Sequence, residues 1–359
     1  LLITSSYNTG WMNGDIKLAT LSDTDDTNVT GAELVTNGDF STGNLSGWTL
    51  TGDVTPSYDS GTGGAKMQTA ASVDGAIYQA ITATAGVVVT WDVDANTSGY
   101  FGLVLNGTLV KDNITASGSY STTSTISSIQ FAHRGGGGGY GIVDNVSVRL
   151  AEEDRSVNGN GLQVFGTVTK SAVATGADLM AYSGLSESNY LKQPYNSDLD
   201  FGTGDFSIMC WVKYAHSSGF KNMFLKGAVG HLVVLVKDNN NLFSPYTNNG
   251  SGITLTGTNT LPNNVWTHVV YTRSSSGLNQ SFINGVLDSS AVLTLVNVND
   301  TSNTGTFIGK DGDLASGDSL ALTRVSSTIP SPEQIKKIYE DEKVLFQENA
   351  KATLYGSSD

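Results

Sequence analysis

The strongest constraint on the fold is a period-two alternation of apolar and polar residues in short runs. Turns rich in Gly and Asn separate the runs, and the sequence holds 42 Gly against 6 Pro. Between residues 33 and 150 the runs include AIYQAITA, GVVVTWDVDA, YFGLVLNGTLV, SIQFA and IVDNVSVRL. Such alternation places one face of a strand on a core and the other in water. We therefore predict an antiparallel β-sandwich with a hairpin turn at Asn106-Gly107.

A second set of short runs occupies residues 161–327, after the charged segment AEEDRS. These runs include FSIMCWVKY, HLVVLVK, THVVYTR, QSFINGV and SLALTRV. They predict a second antiparallel sandwich with a hairpin turn at Asn284-Gly285. Cys210 is the one cysteine of the chain, which excludes a disulfide framework. Because it lies in an apolar run, we expect it to be buried.

Only the C-terminal segment shows a helical period. An apolar stripe is formed by Ile335, Ile338, Tyr339, Leu345 and Phe346. Ser331 can cap this helix, Pro332 suits its first position, and Gln334 is placed to complete a capping box. The stripe must pack either on the second sandwich or on a neighbouring chain. The predicted fold class is all-β: two tandem antiparallel sandwiches, or jelly rolls, followed by a short C-terminal α-helix.

The predicted domain boundaries follow from these patterns. Residues 1–30 contain two turn signals and an acidic, Thr-rich tract, and we interpret them as the end of an upstream domain and a linker. Residues 31–152 form the first sandwich and residues 153–330 the second. Residues 331–359 form the helix and a tail. We expect the chain to be a piece of a longer polypeptide.

Charge and motif content exclude several functions. The chain has 33 acidic and 19 basic residues and a formal charge of −14, which opposes binding to nucleic acid through its phosphates. No run approaches the length of a membrane span, so no membrane insertion is predicted. None of the four histidines, His133, His216, His231 and His268, lies in a catalytic motif. We predict that the chain is not an enzyme and that His268 is structural.

Calcium is the metal that the composition favours, because Asp, Asn and Gly loops provide carboxylate and carbonyl oxygens. Asp39 and Asp144 are the candidates in the first sandwich. In the second, the loop KDGDLASGD offers Asp311, Asp313 and Asp318. The competing interpretation is that these are solvated turn residues.

The string VTNGDFSTGNLSGWT and the later string IVDNVSV resemble the opening and closing strands of jelly-roll carbohydrate-binding modules. The resemblance covers residues 33–150. It implies that the two strands meet around a structural calcium, which would be bound by Asn37, Asp39 and Asp144.

Five ordered strings in residues 155–340 are similar to the concanavalin A-like domains called laminin-G-like. They are LDFGTGDFSIMCWVK, NNVWTHVVYTR, SFINGVLD, FIGKDG and ALTRVSSTIPSPEQIKKIY. With Phe206, Ile208 and Cys210 alternating along one strand, Trp211 and Trp266 are expected to anchor the inner face. The resemblance also implies a last strand that leads directly into a short helix.

The strings SSYNTGWMNGDIKLATLSDT and IYEDEKVLFQENA resemble tail-associated or fibre proteins of bacteriophages. This resemblance implies a virion protein made in the bacterial cytosol. Its implied partners are host-surface glycans and other tail proteins, and its implied assembly is a homo-oligomer, a trimer by analogy. The implied function is non-enzymatic adhesion to the host. Two alternatives remain: a structural decoration or assembly protein of the virion, and an accessory binding region of a secreted polysaccharide-degrading enzyme.

Sugar binding by a sandwich combines aromatic rings, which contact the C–H face of a pyranose, with polar groups that bind hydroxyls. In the first sandwich we predict Tyr100, Tyr140 and Arg134 as glycan-binding residues. In the second, the candidates are Tyr246, Asn248 and Asn249.

Overall fold

A computed structural model describes most of the chain. The described residues are 15–20, 24–68, 74–135, 138–156, 158–215, 219–227, 233–248, 253–310 and 318–351. They are mostly strands in antiparallel sheets with one short C-terminal α-helix, which confirms the predicted fold class. Their contacts divide the chain into a unit of residues 31–151 and a unit that joins residues 1–30 to residues 152–359.

Twelve of the described strands lie before residue 153. They are β1 (Ile16–Thr20), β2 (Val29–Gly31), β3 (Thr49–Thr51), β4 (Ser57–Tyr58), β5 (Ala65–Gln68), β6 (Gly75–Ala80), β7 (Val87–Asn96), β8 (Tyr100–Leu105), β9 (Thr108–Ile114), β10 (Gly118–Thr122), β11 (Ser128–Arg134) and β12 (Tyr140–Glu152).

The unit of residues 31–151 is a β-sandwich of two sheets. Sheet I has the order β3-β6-β11-β8-β9, and sheet II has the order β4-β5-β12-β7-β10. Trp91, Phe101 and Phe131 are buried in the core between them. Asn106 and Gly107 join β8 to β9 with φ of 51° and 76°, which is the left-handed geometry of the predicted hairpin turn.

The other unit contains the remaining described elements. They are β13 (Leu162–Ala172), β14 (Met180–Ser183), β15 (Tyr190–Gln193), β16 (Phe206–Lys213), β17 (Lys221–Lys226), β18 (Val233–Lys237), β19 (Tyr246–Thr247), β20 (Ile253–Thr254), β21 (Thr267–Arg273), β22 (Leu278–Ile283), β23 (Val286–Val292), β24 (Thr306–Ile308), β25 (Ser319–Ser326), α1 (Pro332–Glu342), and the 3-10 helices Ser197–Leu199 and Lys343–Phe346.

This unit is also a two-sheet sandwich. Sheet III runs β23-β22-β21-β16-β25, and the far side of β25 pairs with β1 and β14. Sheet IV runs β13-β15-β24-β17-β18-β19-β20. Phe206, Ile208 and the predicted buried Cys210 belong to the core between the sheets. Trp211 was expected on the same inner face, but the alternation along β16 turns it outwards, where it packs with Leu345.

Residues 16–20 do not form the predicted linker. They pair antiparallel with β25, where Thr20 lies opposite Thr323 and Leu18 is fully buried in the core. The carboxylate of Asp154 accepts a hydrogen bond from the Ala19 N–H at 2.9 Å, which fixes the end of the strand. A five-residue run next to turn signals gives too little periodicity to distinguish an edge strand from a linker.

The helix α1 forms as the sequence predicts and packs on its own sandwich. Ser331 and Gln334 form a complete capping box, and Pro332 occupies the first turn. Ile335 and Ile338 are buried with the sheet III residues Met209, Val270 and Phe282. In the described part of the chain, no helix is long and apolar enough to cross a membrane.

Candidate functional site

The outer face of sheet I carries a strip of small side chains. Because Ile77 and Phe131 point into the core, their neighbours on β6 and β11 point outwards. Ala132 lies directly opposite Ala76 on β6, and Ala76 lies opposite Thr51 on β3. The strip ends at Gly102, on the other side of Ala132, where the side chains of Leu109 and Arg134 occupy the space above the glycine.

One border of the strip is a polar and aromatic row. Tyr100 lies directly opposite Arg134 across β8 and β11. Arg134 Nε is 3.2 Å from Asp74 Oδ2, and the two side chains are 35% and 37% exposed. Gly135 has φ of 75°, and a Cβ there would lie 2.7 Å from the ring of Tyr100. The glycine therefore allows the ring to lie against the backbone.

The other border of the strip is a row centred on Gln130. Gln130 lies opposite Tyr78 on β6 and Val104 on β8. All three side chains are half-buried. Within the described residues, neither the Tyr78 hydroxyl nor the Gln130 amide is hydrogen-bonded, so both are available to a ligand. Residues four apart along a strand are about 14 Å apart, so the Gln130 and Arg134 rows are separated by about that width. Ala76 and Ala132 between them are 2% and 6% exposed, because the longer side chains of the two rows lean over the strip.

Tyr140 does not join this face. It begins β12 in sheet II, opposite Gln68, and Lys66 Nζ lies 3.9 Å from the centroid of its ring. Because Lys66 alternates with core residues of β5, the Tyr140 ring lies on the outer face of sheet II. Of the predicted glycan-binding residues, the structure brings together Tyr100 and Arg134 only.

Asp74, Tyr78 and Gln130 were missed from the sequence. The alternation in QFAHR indicates that Gln130, Ala132 and Arg134 share a face. It does not show that β6 and β8 flank β11, and this neighbourhood brings in the other residues. His133 alternates to the inner side and is fully buried, and burial lowers the pKa of its imidazole.

The predicted calcium ligands of the first sandwich fit a cation only in part. The side-chain amide of Asn37 donates to the carbonyl oxygens of Asn44 and Ser46, and its Oδ1 accepts from Thr42. The Asn37 side chain is therefore already hydrogen-bonded within its own turn. Asp39 and Asp144 are close enough to interact. Burial and the negative charges of Asp94, Asp92 and Asp39 raise the pKa of Asp144. A cation would relieve this repulsion.

The other predicted ligands are less informative. Asp318 is buried, and its carboxylate accepts a hydrogen bond from the Ala215 N–H at 2.7 Å. Asp311 and Asp313 lie outside the described residues, as do Asn249, His216 and His231. Among the described residues, no three His, Cys, Asp or Glu side chains are grouped to hold a metal ion. Tyr246 lies on sheet IV, opposite Val234 and Thr254.

The second sandwich matches a known family model. The model is described as the concanavalin A-like lectin/glucanases superfamily and matches residues 185–336. Together with sheets III and IV, this match defines a concanavalin A-like fold for that part of the chain. No curated protein matches the chain.

Several solved structures are similar to the chain. The receptor-binding domain of a botulinum neurotoxin C/D mosaic serotype is 16% identical, with a TM-score of 0.43, and the match covers 54% of this chain and 49% of that one. The binding domain of Paraclostridial Mosquitocidal Protein 1 is 15% identical, with a TM-score of 0.45 and coverage of 53% and 49%. Domain 4 of AbnA, an extracellular arabinanase of Geobacillus stearothermophilus in complex with arabinotriose, is 18% identical, with a TM-score of 0.43 and coverage of 52% and 92%. The chain thus spans about half the length of the first two structures.

Proposed function

We propose that this chain is a non-enzymatic glycan-binding protein and that the outer face of sheet I binds the glycan. The proposal is carried by one arrangement: the Tyr100–Arg134 pair and the uncommitted Tyr78 and Gln130 border a strip of small residues. Aromatic rings contact the C–H faces of sugars, and guanidinium, amide and phenol groups bind their hydroxyls. The match of residues 185–336 to a family described by lectins and glucanases concerns the other sandwich, and it supports carbohydrate binding by the chain without locating it on sheet I.

Binding without catalysis is the simpler role for this face. A glycosidase commonly places one carboxylic acid on each side of the scissile bond, and one of the two must be protonated. Asp74 is held in an ion pair with Arg134 at 3.2 Å, so its carboxylate already has a partner. The pair is suited to hold adjacent hydroxyls, because Arg134 donates and Asp74 accepts.

We further propose that the binding attaches a virion to glycans of its bacterial host. This step depends on the resemblance of residues 5–24 and 338–350 to phage tail proteins, and the homo-oligomer, a trimer by analogy, belongs to the same proposal. An accessory binding region of a polysaccharide-degrading enzyme is the second candidate, because the matched family includes glucanases. Immunogold labelling of purified particles tests the choice. Gold on phage tails supports adhesion, whereas unlabelled particles and detection of the chain in a secreted enzyme support the second candidate.

A glycan array tests the binding site. The intact chain is compared with Tyr100→Ala, Arg134→Ala and Tyr140→Ala variants, and the best glycan is titrated by calorimetry. We expect the first two variants to lose at least about tenfold in affinity, as for removal of charged or aromatic contacts. Tyr140→Ala is the matched control on sheet II and should bind as the parent does. An array without saturable binding, or equal losses in all three variants, would contradict the proposal.

A further inference from the structure

The outer face of sheet IV holds a second group of aromatic and basic side chains, most of them half-buried and Phe307 buried. Lys192 on β15 lies directly opposite Phe307 on β24 and Gln163 on β13. Their neighbours Val164, Leu191 and Ile308 belong to the core. Strand alternation therefore places Lys192, Phe307 and Gln163 together on the side that faces away from the core.

Three aromatic rings are joined on this face. Phe165 and Tyr190 lie opposite each other and stack, with ring centroids 4.5 Å apart and an interplanar angle of 9°. Tyr190 meets Phe307 edge to face at 5.9 Å. Phe165 and Tyr190 are half-buried, so part of the stack remains accessible. We name Phe165, Tyr190, Phe307, Lys192 and Lys310 the sheet IV cluster.

Two ammonium groups lie against these rings. Lys310 Nζ is 4.8 Å from the centroid of Tyr190 and 4.6 Å from that of Phe307. Lys192 Nζ is 5.5 Å from the centroid of Phe307. Ring faces attract cations without neutralising them. Within the described residues, Lys310 has no carboxylate partner, although acidic residues outnumber basic ones by 33 to 19 in the chain.

A buried donor lies in the same row. The side chain of Gln163 is 2% exposed, and its amide nitrogen has no hydrogen-bond partner among the described residues. A buried amide without an acceptor costs free energy, so such groups are usually satisfied by a ligand or by water. Gln163 lies directly opposite Lys192, and an oxygen acceptor there would serve both donors.

We propose that the sheet IV cluster is a second binding site and that its ligand is an acidic saccharide with carboxylate or sulfate groups. The ammonium groups of Lys192 and Lys310 bind the anionic group, and the Phe165–Tyr190 stack contacts the apolar face of the sugar. A neutral sugar leaves the ammonium group of Lys310 without a counter-charge among the described residues. The proposal is independent of the sheet I site, because the residues and the unit of the chain are different.

The charge of the chain makes this site selective. A formal charge of −14 repels polyanions from most of the surface. A polyanion that binds must therefore do so where cations are concentrated. Binding at two ammonium groups should weaken as salt increases, because ionic strength screens exposed charges.

The test uses the intact chain and immobilised polygalacturonate, polysialic acid and heparin, with dextran as the neutral probe. Lys310→Met and Lys192→Met remove each charge and keep the aliphatic stem. We expect each substitution to weaken binding to the preferred polyanion by about tenfold, as for loss of a charge-assisted hydrogen bond. Lys310→Arg keeps the positive charge and should retain binding. Unchanged melting temperatures confirm that the variants remain folded.

The control separates this site from general electrostatics. Lys66→Met removes a lysine that also lies over a tyrosine ring, but on sheet II, and should leave polyanion binding unchanged. The proposal is overturned if none of the three polyanions binds below millimolar concentration, if dextran binds equally well, or if Lys66→Met weakens binding as much as Lys310→Met.

Discussion

The buried carboxylate of Glu342, on the last turn of α1, is paired with the guanidinium of Arg324 on β25. The two groups meet at 2.7 Å through Arg324 Nη1 and at 3.0 Å through Nη2. Trp211 Nε1 also donates to this carboxylate at 2.8 Å. Both charged side chains are at most 2% exposed. The pair therefore joins the C-terminal helix to the middle of sheet III.

Glu342→Gln should strongly destabilise the unit that contains sheet III. The substitution leaves the Arg324 charge buried without its counter-charge, a loss that typically costs about 3–5 kcal/mol. Urea unfolding followed by tryptophan fluorescence measures the change. Asp341→Asn is the matched control, because it breaks the exposed pair with Lys337 on the same helix and should cost less than about 1 kcal/mol. Similar losses in the two variants would contradict the role of the buried pair.

The imidazole of His268 should make the same unit less stable in mild acid. The ring lies between Trp211 and Tyr339, and neither ring nitrogen is hydrogen-bonded in the described structure. Burial lowers the pKa of His268 to about 4; the Arg324 charge acts in the same direction and Glu342 opposes it. The unfolded chain binds the proton near pH 6.5. Between these values the unfolded state holds more protons, so stability falls as the pH decreases.

Unfolding free energies at pH 7, 5.5 and 4.5 measure this effect. One group contributes a slope of at most about 1.4 kcal/mol per pH unit. His268→Phe preserves the ring packing and removes the titrating group, so the slope between pH 5.5 and 4.5 should decrease by most of that amount. An unchanged slope in this variant would assign the acid sensitivity to other groups.

The sequence was sufficient to predict the elements whose conformation depends on a few neighbouring residues. The capping box of Ser331 and Gln334 and the Asn106-Gly107 turn were predicted because each depends on a few consecutive residues. The position of Ile16–Thr20 was missed because its partner β25 lies at the other end of the chain. The face of Trp211 was assigned wrongly because both faces of β16 are buried, one by the core and one by α1 and the residues that follow it. Alternation alone does not identify the inner face of such a strand.

The same limit of strand alternation explains which residues of the candidate site were predicted and which were missed. Alternation indicates which residues of one strand share a face, and so it relates Gln130 to Arg134. It does not indicate which strands are neighbours or which sheet a strand enters. Tyr78 and Asp74 therefore went unnoticed, and Tyr140 was grouped with Tyr100 although the turn after β11 takes the chain into sheet II.

Filling the strip on sheet I should abolish glycan binding. Because Ala132 is 6% exposed, a larger side chain there should also cost about 1–3 kcal/mol of stability, and a melting curve checks that the variant remains folded. Ala132→Leu places three more carbons over the sheet between the Gln130 and Arg134 rows, where the sugar is proposed to lie. Calorimetry with the glycan found on the array should show a loss of at least about tenfold, since steric exclusion removes contacts on both rows. Thr90→Leu is the control, because it adds an apolar group to the outer face of sheet II. Full binding by Ala132→Leu would place the site elsewhere.

Calcium binding at Asp39 and Asp144 should be visible as thermal stabilisation. A ligand bound only by the folded state stabilises it by about 2.7 kcal/mol at a concentration 100 times its dissociation constant. We therefore expect excess chelator to lower the melting temperature of the parent chain. Asp144→Asn should remove this dependence.

The same variant should also melt higher than the parent in chelator. Folding raises the pKa of Asp144 through burial and the neighbouring carboxylates, so its ionised form opposes folding at neutral pH. Asp112→Asn, on the exposed strand β9, controls for the change in net charge. Melting curves of the parent that coincide with and without chelator would show that calcium does not stabilise this sandwich, and Asp39 and Asp144 would then be turn and strand residues whose repulsion the fold tolerates.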